Sequence, residues 1–256
     1  MRVRNTIERI VNRILAVGRR ASFPELALTY EEASARRSVR PGPIEELFFE
    51  NKGRLAAKWT HYLPIYDRVF APYRGQRVKM LEIGVSRGGS LELWRNYFGP
   101  EATIFGIDIE PACAERFDPP NQVRIGSQDD PAFLRSVVGE MGGLDIVLDD
   151  GSHIAPHQDA SFRVLFPLLK AGGLYIIEDI HTSYWPSHDG GYRRRGTAVE
   201  RVKTLIDDMH GWHHERRQVL AEREHIGSIL VYDSMVVIEK VDRKRPGHFT
   251  TPDNAE

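Results

Sequence analysis

Short apolar runs alternate with amphipathic stretches along most of the chain, which is the pattern of parallel strands connected by helices. Five such runs predict buried strands at residues 78–85, 103–109, 123–127, 144–150 and 174–180. Two more, at 226–231 and 235–241, flank a polar turn and predict a closing hairpin. The expected fold is therefore α/β: a Rossmann-like, doubly wound, mostly parallel seven-stranded sheet with a C-terminal antiparallel hairpin.

Before the first predicted strand, residues 5–17 place apolar side chains on one helical face and arginines opposite. We expect this stripe to be buried against the main domain or another subunit; membrane binding is the less favoured alternative, because the stripe is short and has no Trp or Phe. Pro41-Gly42-Pro43 then interrupts helical structure. We predict a helical appendage at 1–43, a main domain at 44–243 and a flexible tail at 244–256.

Residues 44–73 predict one or two helices rich in aromatic side chains. Two interpretations of Trp59, His61 and Tyr62 are open. Aromatic residues at helical spacing usually pack in a core, and here they could instead form the wall of a ligand pocket.

Composition narrows the classes of function. A net charge of −1 gives no support to a nucleic-acid or membrane-surface partner, and no apolar run approaches the ~20 residues that span a bilayer. The single cysteine, Cys113, excludes an internal disulfide framework and fits a reducing cytoplasm. We expect a cytoplasmic homo-oligomer that acts on a small molecule, with residues 5–17 available for self-association.

Two adjacent acids end both the fourth and the fifth predicted strand: Asp149-Asp150 and Glu178-Asp179. Neighbouring strand residues point to opposite faces, so the acids of one pair should have different roles. We interpret Asp150, Glu178 and Asp179 as ligands of one divalent cation, because three carboxylates in a cleft repel each other unless a cation binds them. A set of oxygen ligands favours Mg²⁺, with Mn²⁺ as an alternative.

His153 follows the turn after Asp150 and is a candidate general base beside that cation. The segment Asp-Asp-Gly-Ser-His could also be an ordinary strand-to-helix turn whose polar side chains cap the next helix. The second acid pair at the end of the following strand favours a functional site over that interpretation.

Polar groups at the first three strand ends predict a nucleotide site. The glycine-rich turn at 86–90 lets backbone approach a ligand at a helix N-terminus. Asp108, at the tip of the second strand, is placed to accept hydrogen bonds from ribose hydroxyls. Gln128 and Asp129 either contact a purine or belong to a helix cap. The glycine spacing alone does not identify the nucleotide.

Five segments together resemble class I S-adenosylmethionine-dependent methyltransferases: LEIGVSRGGSLELW, IFGIDI, IVLDDGSH, GGLYIIEDIHTSYWP and YDSMVVIEK. More narrowly, they are similar to the metal-dependent sugar O-methyltransferases of antibiotic pathways, the macrolide-sugar and rhamnose enzymes such as those of mycinamicin and calicheamicin biosynthesis. The matching segments span most of residues 55–240.

The resemblance implies S-adenosylmethionine and Mg²⁺ as cofactors. It implies a metal site of Asp150, Glu178 and Asp179, with His153 as the catalytic base beside the catalytic Asp150. The residues that we assign to the cofactor are Glu82, Gly84, Ser90, Asp108, Gln128, Asp129 and Asp149.

We therefore expect Mg²⁺-dependent methyl transfer to a hydroxyl of a (deoxy)sugar on a glycosylated natural product, with His153 accepting the proton. Two alternatives stay open. A catechol-type O-methyltransferase needs the same metal and cofactor but an aromatic diol. A non-catalytic S-adenosylmethionine-binding protein would use the nucleotide site alone.

Overall fold

The computed structural model describes residues 28–115, 119, 121–214 and 225–251. The apolar stripe predicted at 5–17 and the end of the predicted tail lie outside these residues. No helix within the described ranges is both long and apolar enough to cross a bilayer.

Seven strands form one sheet in the order β3-β2-β1-β4-β5-β7-β6. Their bounds are β1 Lys79–Ile83, β2 Thr103–Asp108, β3 Gln122–Ile125, β4 Ile146–Asp149, β5 Leu174–Ile177, β6 Ile226–Val231 and β7 Val236–Lys240. Strands β1 to β5 pair in parallel, whereas β7 runs antiparallel to both β5 and β6. The predicted fold class, including the closing hairpin, is confirmed.

Seven α-helices accompany the sheet in the described part of the chain. They are α1 Tyr30–Ser34, α2 Pro43–Phe49, α3 Leu63–Phe70, α4 Gly89–Phe98, α5 Pro131–Met141, α6 Ala155–Leu165 and α7 Ala198–Met209. Alternate residues of β1 point to opposite faces of the sheet. Met80 lies in the apolar core that includes residues of α2, α3 and α4, and Leu81 lies in the core that includes residues of α5, α6 and α7. Both faces of the sheet are therefore buried, which explains why the parallel strands are apolar on both sides.

Residues 51–59 are neither helix nor strand. They separate α2 from α3 and contact the start of α4, because a Cβ on Gly89 would lie 2.5 Å from the backbone of Leu55. We call residues 51–59 the roof segment. At its start, Arg54 N donates to Glu92 Oε2 at 2.9 Å.

Candidate active site

Two adjoining cavities lie at the carboxyl ends of β1, β2 and β4, where the strand order reverses and α/β sheets bind ligands. The larger, of about 440 Å³, includes Asp108, Ser127 and Gln128 in its wall. The smaller, of about 310 Å³, lies between the roof segment and the glycine-rich turn. Both cavities share Gly84, Ser86, Asp150 and Gly151, so they form one continuous cleft.

Gly84 allows two strand ends to meet below this cleft. Its φ is +91°, and an added Cβ would lie 2.1 Å from the carbonyl oxygen of Asp150. Both the backbone conformation and the close approach therefore require glycine. Gly84 thus lies in the wall of both cavities, and its assignment to the cofactor stays a prediction.

Asp108 is fixed by backbone donors. Its Oδ2 accepts hydrogen bonds from Val85 N at 2.9 Å and Ser86 N at 3.1 Å, and its Oδ1 accepts one from Glu110 N at 2.9 Å. Burial alone would raise the pKa of Asp108, but these backbone hydrogen bonds outweigh it and lower the pKa. An ionised carboxylate therefore lies at the tip of β2, in the wall of the larger cavity.

Asp149 faces away from the cleft and is fully buried. Its carboxylate accepts hydrogen bonds from Gln128 Nε2 at 3.1 Å, Ser161 Oγ at 2.6 Å and Tyr175 OH at 3.2 Å. We call these four residues the inner network. Gln128 in turn accepts a hydrogen bond from Ser152 N at 2.8 Å through Oε1, so the inner network supports the cavity wall from behind.

Asp129 lies at the surface next to the larger cavity. It accepts a hydrogen bond from Ser127 Oγ, and its Oδ2 is 3.6 Å from His157 Nε2. The helix cap weighed from the sequence belongs to its neighbour, since Asp130 accepts from Ala132 N and Phe133 N at the start of α5. Asp129 and Gln128 are thus not required for capping, and their assignment to adenine stays a prediction.

Asp150, His153 and Asp179 converge beside the smaller cavity, which Asp150 and His153 line, and one ligand atom from each lies within 4.8 Å of the other two. His153 Nε2 is 3.8 Å from Asp150 Oδ1 and 3.7 Å from Asp179 Oδ2. His153 and Asp179 have positive φ angles of 55° and 53°. Backbone in this sparsely populated region often marks a functional site, because surrounding structure must maintain it.

The two carboxylates of this group fit a hard divalent cation, and the imidazole lies beside them. Two carboxylates and an imidazole are already close together, and His153 Nδ1 is buried without a hydrogen-bond partner among the described residues. The spacing between His153 and the carboxylates exceeds a direct hydrogen bond. A cation or a substrate hydroxyl can therefore reach these atoms without displacing a bonded partner of the imidazole.

Glu178 lies beside this group and is directed to the interior. Its Oε1 accepts a hydrogen bond from Lys58 Nζ at 2.7 Å and another from Tyr66 OH. Lys58 also donates to Asp150 Oδ2 at 2.5 Å and lies 3.8 Å from Glu82 Oε1. We call Glu82, Asp150, Glu178 and Asp179 the acid cluster. Glu178 is near the group formed by Asp150, His153 and Asp179, and its role as a metal ligand stays a prediction.

The fourth acid, Glu82, is fully buried below the smaller cavity and accepts a hydrogen bond from Ser90 Oγ at 2.8 Å. Burial raises the pKa of Glu82 to about 7, although Lys58 opposes this. Burial and the nearby Asp150 also raise the pKa of Glu178. Burial would lower the pKa of Lys58, but Asp150, Glu178 and Glu82 raise it instead. One ammonium thus leaves the acid cluster with excess negative charge, which favours a further cation.

Aromatic side chains form one side of the site. Trp59 Nε1 and Tyr62 OH donate to Asp179 Oδ1 at 3.0 and 2.8 Å. The His181 ring lies 5.9 Å from Trp59 and 4.7 Å from Trp185. Tyr62 is fully buried in the apolar core, whereas Trp59 is half-buried beside Asp179. The core interpretation is thus confirmed for Tyr62, and a role of Trp59 in a pocket wall stays a prediction. We call Trp59, His181 and Trp185 the aromatic wall.

The sequence analysis did not identify Lys58 or Tyr66. Each lies far from its partner in the chain: Lys58 is 92 residues from Asp150, and Tyr66 is 112 residues from Glu178. A single lysine in an irregular segment has no recognisable spacing signal. The available hint was that Lys58 is adjacent to Trp59, which was already a candidate for the pocket wall.

Comparison with known proteins places this geometry among methyltransferases, although no family model matches the chain. The 8-demethyl-8-(2-methoxy-alpha-L-rhamnosyl)-tetracenomycin-C 3'-O-methyltransferase of Streptomyces olivaceus is 41% identical over 181 residues, which cover 67% of this chain and 46% of that protein. The mycinamicin VI 2''-O-methyltransferase of Micromonospora griseorubida is 38% identical over 199 residues, covering 70% and 48% of the two chains.

A solved structure of the MycE methyltransferase in complex with Mg, SAH and mycinamycin VI matches with a TM-score of 0.69 and 34% identity, covering 79% of this chain and 54% of that one. The fold is thus the Rossmann-like fold of class I S-adenosylmethionine-dependent methyltransferases. More particularly, the chain resembles the sugar O-methyltransferases of antibiotic pathways, as the sequence predicts. It spans about half the length of the relatives that it matches.

Proposed function

We propose that the protein transfers a methyl group from S-adenosylmethionine to a hydroxyl of a sugar on a glycosylated natural product, with Mg²⁺ as cofactor and His153 as general base. The observation that carries this proposal is the convergence of Asp150, His153 and Asp179 beside the cleft at the strand ends. The names of the relatives, O-methyltransferases of a rhamnosyl-tetracenomycin and of mycinamicin VI, support the choice of acceptor.

The two cavities of the cleft would bind different parts of the methyl donor. Asp108 would accept hydrogen bonds from the ribose hydroxyls, and Gln128 and Asp129 would contact the adenine at the larger cavity. Glu82 and Ser90, below the smaller cavity, position the methionine portion. Asp149 contributes indirectly by holding Gln128 in place.

Asp150 and Asp179 hold Mg²⁺, with Glu178 as the third carboxylate of the predicted set. A bound Mg²⁺ would supply Lewis-acid chemistry, which lowers the pKa of a sugar hydroxyl that is otherwise a poor nucleophile at neutral pH. His153 Nε2 accepts the hydroxyl proton. Because neither carboxylate is within hydrogen-bonding distance of Nε2, the imidazole can turn toward the acceptor.

The acceptor sugar approaches along the aromatic wall. Trp59 is positioned by its hydrogen bond to Asp179, which brings the indole ring next to the metal ligands. Aromatic rings with a polar edge can bury the C–H face of a sugar while leaving its hydroxyls directed at the site. Their place beside Asp179 orients the acceptor relative to the methyl donor, which is the main requirement for in-line transfer.

Calorimetry and a methylation assay together test the proposal. Chelator-treated protein should bind S-adenosylmethionine and S-adenosylhomocysteine, and isotope-labelled methyl groups should then pass to a glycosylated macrolide in the presence of Mg²⁺. The matching aglycone should stay unlabelled. Absence of cofactor binding would overturn the assignment, and labelling of catechol but of no glycoside would identify an aromatic diol as the acceptor instead.

A further inference from the structure

A buried ammonium connects the roof segment to the acid cluster. The Lys58 side chain is 2% exposed, and its Nζ lies 2.5 Å from Asp150 Oδ2 and 2.7 Å from Glu178 Oε1. Glu82 Oε1 is 3.8 Å away. These three acids are on, or directly after, the neighbouring strands β4, β5 and β1. One lysine therefore joins three strand ends at the point where the proposed chemistry takes place.

Resting on the proposed function, we propose that Lys58 is a positioning residue: a permanent counter-ion that holds Asp150 and Glu178 in place and sets how strongly the acid cluster attracts a divalent cation. It differs from the metal in being covalently attached to the chain. The acids can therefore stay assembled when no metal is bound, and the affinity for metal is lower than four carboxylates alone would produce.

The charges of the acid cluster support this role. Glu82, Asp150, Glu178 and Asp179 carry four negative charges when ionised, and a divalent cation compensates only two of them. Lys58 supplies a further positive charge from within the chain. Uncompensated charges in a buried site are strongly destabilising, and Lys58 compensates one of them whether or not the metal is bound.

The surroundings of Lys58 keep its ammonium in this position. Arg54, near the start of the roof segment, is held by Glu92 through its backbone N–H at 2.9 Å and its side-chain Nε at 3.1 Å. Trp59, the next residue after Lys58, is bound to Asp179 at 3.0 Å. With both sides of Lys58 anchored, the side chain has little freedom to leave the acids. Lys58 therefore also connects the roof of the smaller cavity to the residues of the proposed metal site.

The electrostatic part of the proposal is tested with chelator-treated Lys58→Met protein. Calorimetry measures the binding of Mg²⁺ as it is titrated into this protein without any methyl donor. Removal of one positive charge within a few ångströms of the site should strengthen Mg²⁺ binding by roughly tenfold or more. The matched control is Lys170→Met, which removes a half-exposed lysine paired with Asp145 at 2.9 Å and should bind Mg²⁺ like the wild type. Unchanged or weaker Mg²⁺ binding by Lys58→Met would overturn the proposal, because a merely structural defect loosens a metal site.

Thermal unfolding of the same metal-free proteins tests the positioning part. Lys58→Met should lower Tm by about 10 °C, since it leaves buried carboxylates without their cation. The double variant Lys58→Met/Glu178→Gln should recover at least half of this loss, because it removes a partner charge as well. A double variant no more stable than Lys58→Met, or one that fails to fold, contradicts the proposal. Neither experiment uses a methyl donor or a sugar, so a failure of methyl transfer would leave both outcomes unaffected. Wild-type protein that binds no Mg²⁺ would contradict the proposed metal site itself.

Discussion

Asp149 and Asp150 are adjacent in sequence, yet they belong to two different kinds of network. Asp149 is fully buried in the inner network, where hydroxyl and amide groups donate three hydrogen bonds to it. Asp150 lies in the wall of the cleft. Its Oδ2 is bound by the charged Lys58, and its Oδ1 is 3.8 Å from His153 Nε2. The inner network is complete without a ligand, whereas the acid cluster has excess charge. The difference shows that the partners of a carboxylate, rather than the carboxylate itself, decide whether it supports the fold or serves a site.

The same chemical change at these two positions gives the sharpest contrast, and the larger effect is expected at Asp150. Asp150→Asn removes a charge from the proposed metal site and should lower turnover by about 10³-fold or more. Binding of S-adenosylhomocysteine should change little, which calorimetry can measure alongside the methylation assay. Turnover near the wild-type level with normal Mg²⁺ dependence would show that Asp150 is not a metal ligand.

His153→Gln tests the other member of the cleft group. Loss of a general base should reduce kcat by about 10²-fold or more, while the affinities for Mg²⁺ and S-adenosylhomocysteine stay within a few-fold. Steady-state kinetics and calorimetry provide these values. His225→Gln, at a half-exposed histidine next to Asp242 and distant in sequence from the cleft, is the control and should behave as wild type. If Mg²⁺ binding is lost together with kcat in His153→Gln, the imidazole is a metal ligand instead.

Trp59→Phe tests the contact between the aromatic wall and Asp179. Phenylalanine keeps an aromatic ring but removes the donor to Asp179 Oδ1. One hydrogen bond to a charged group contributes on the order of 1.5–3 kcal/mol, and Tyr62 OH still donates to the same oxygen. We therefore expect a roughly tenfold fall in kcat/KM for the glycoside. A fall that appears equally in S-adenosylhomocysteine affinity would indicate that Trp59 supports the roof segment rather than the acceptor.

The smallest effect is expected for Asp149→Asn, which should keep turnover and Mg²⁺ dependence within a few-fold of wild type. Burial raises the pKa of Asp149 above 3.8 in the folded protein. A carboxyl with a raised pKa favours folding when protonated, so its contribution to stability declines as pH rises above the unfolded value. The variant lacks this titration. The free energy of unfolding of the variant, relative to that of wild type, should therefore increase as pH rises from below 3.8. Urea unfolding at several pH values can measure it. A difference that does not change with pH would contradict the assigned pKa direction.

Much of this architecture could be predicted from local sequence patterns. The apolar runs at residues 144–150 and 174–180 are short and end in acids, so they predict both buried strands and carboxylates at one edge of the sheet. The structure confirms the strands and brings Asp150 and Asp179 together with His153. Parallel strands have their carboxyl ends at the same edge, which is why a one-dimensional pattern could indicate a three-dimensional site.

The sequence alone therefore determined the order of strands and helices, the closing hairpin and the acids at the strand ends, because these depend on residues close together in the chain. Only the tertiary structure decided which acid would be buried among hydroxyl groups and which would contact a cation. Lys58 reaches Asp150 across 92 residues and Glu178 across 120, and Tyr175 reaches Asp149 across 26. Such contacts depend on how the roof segment and the sheet pack together, and no periodicity in the sequence specifies that packing.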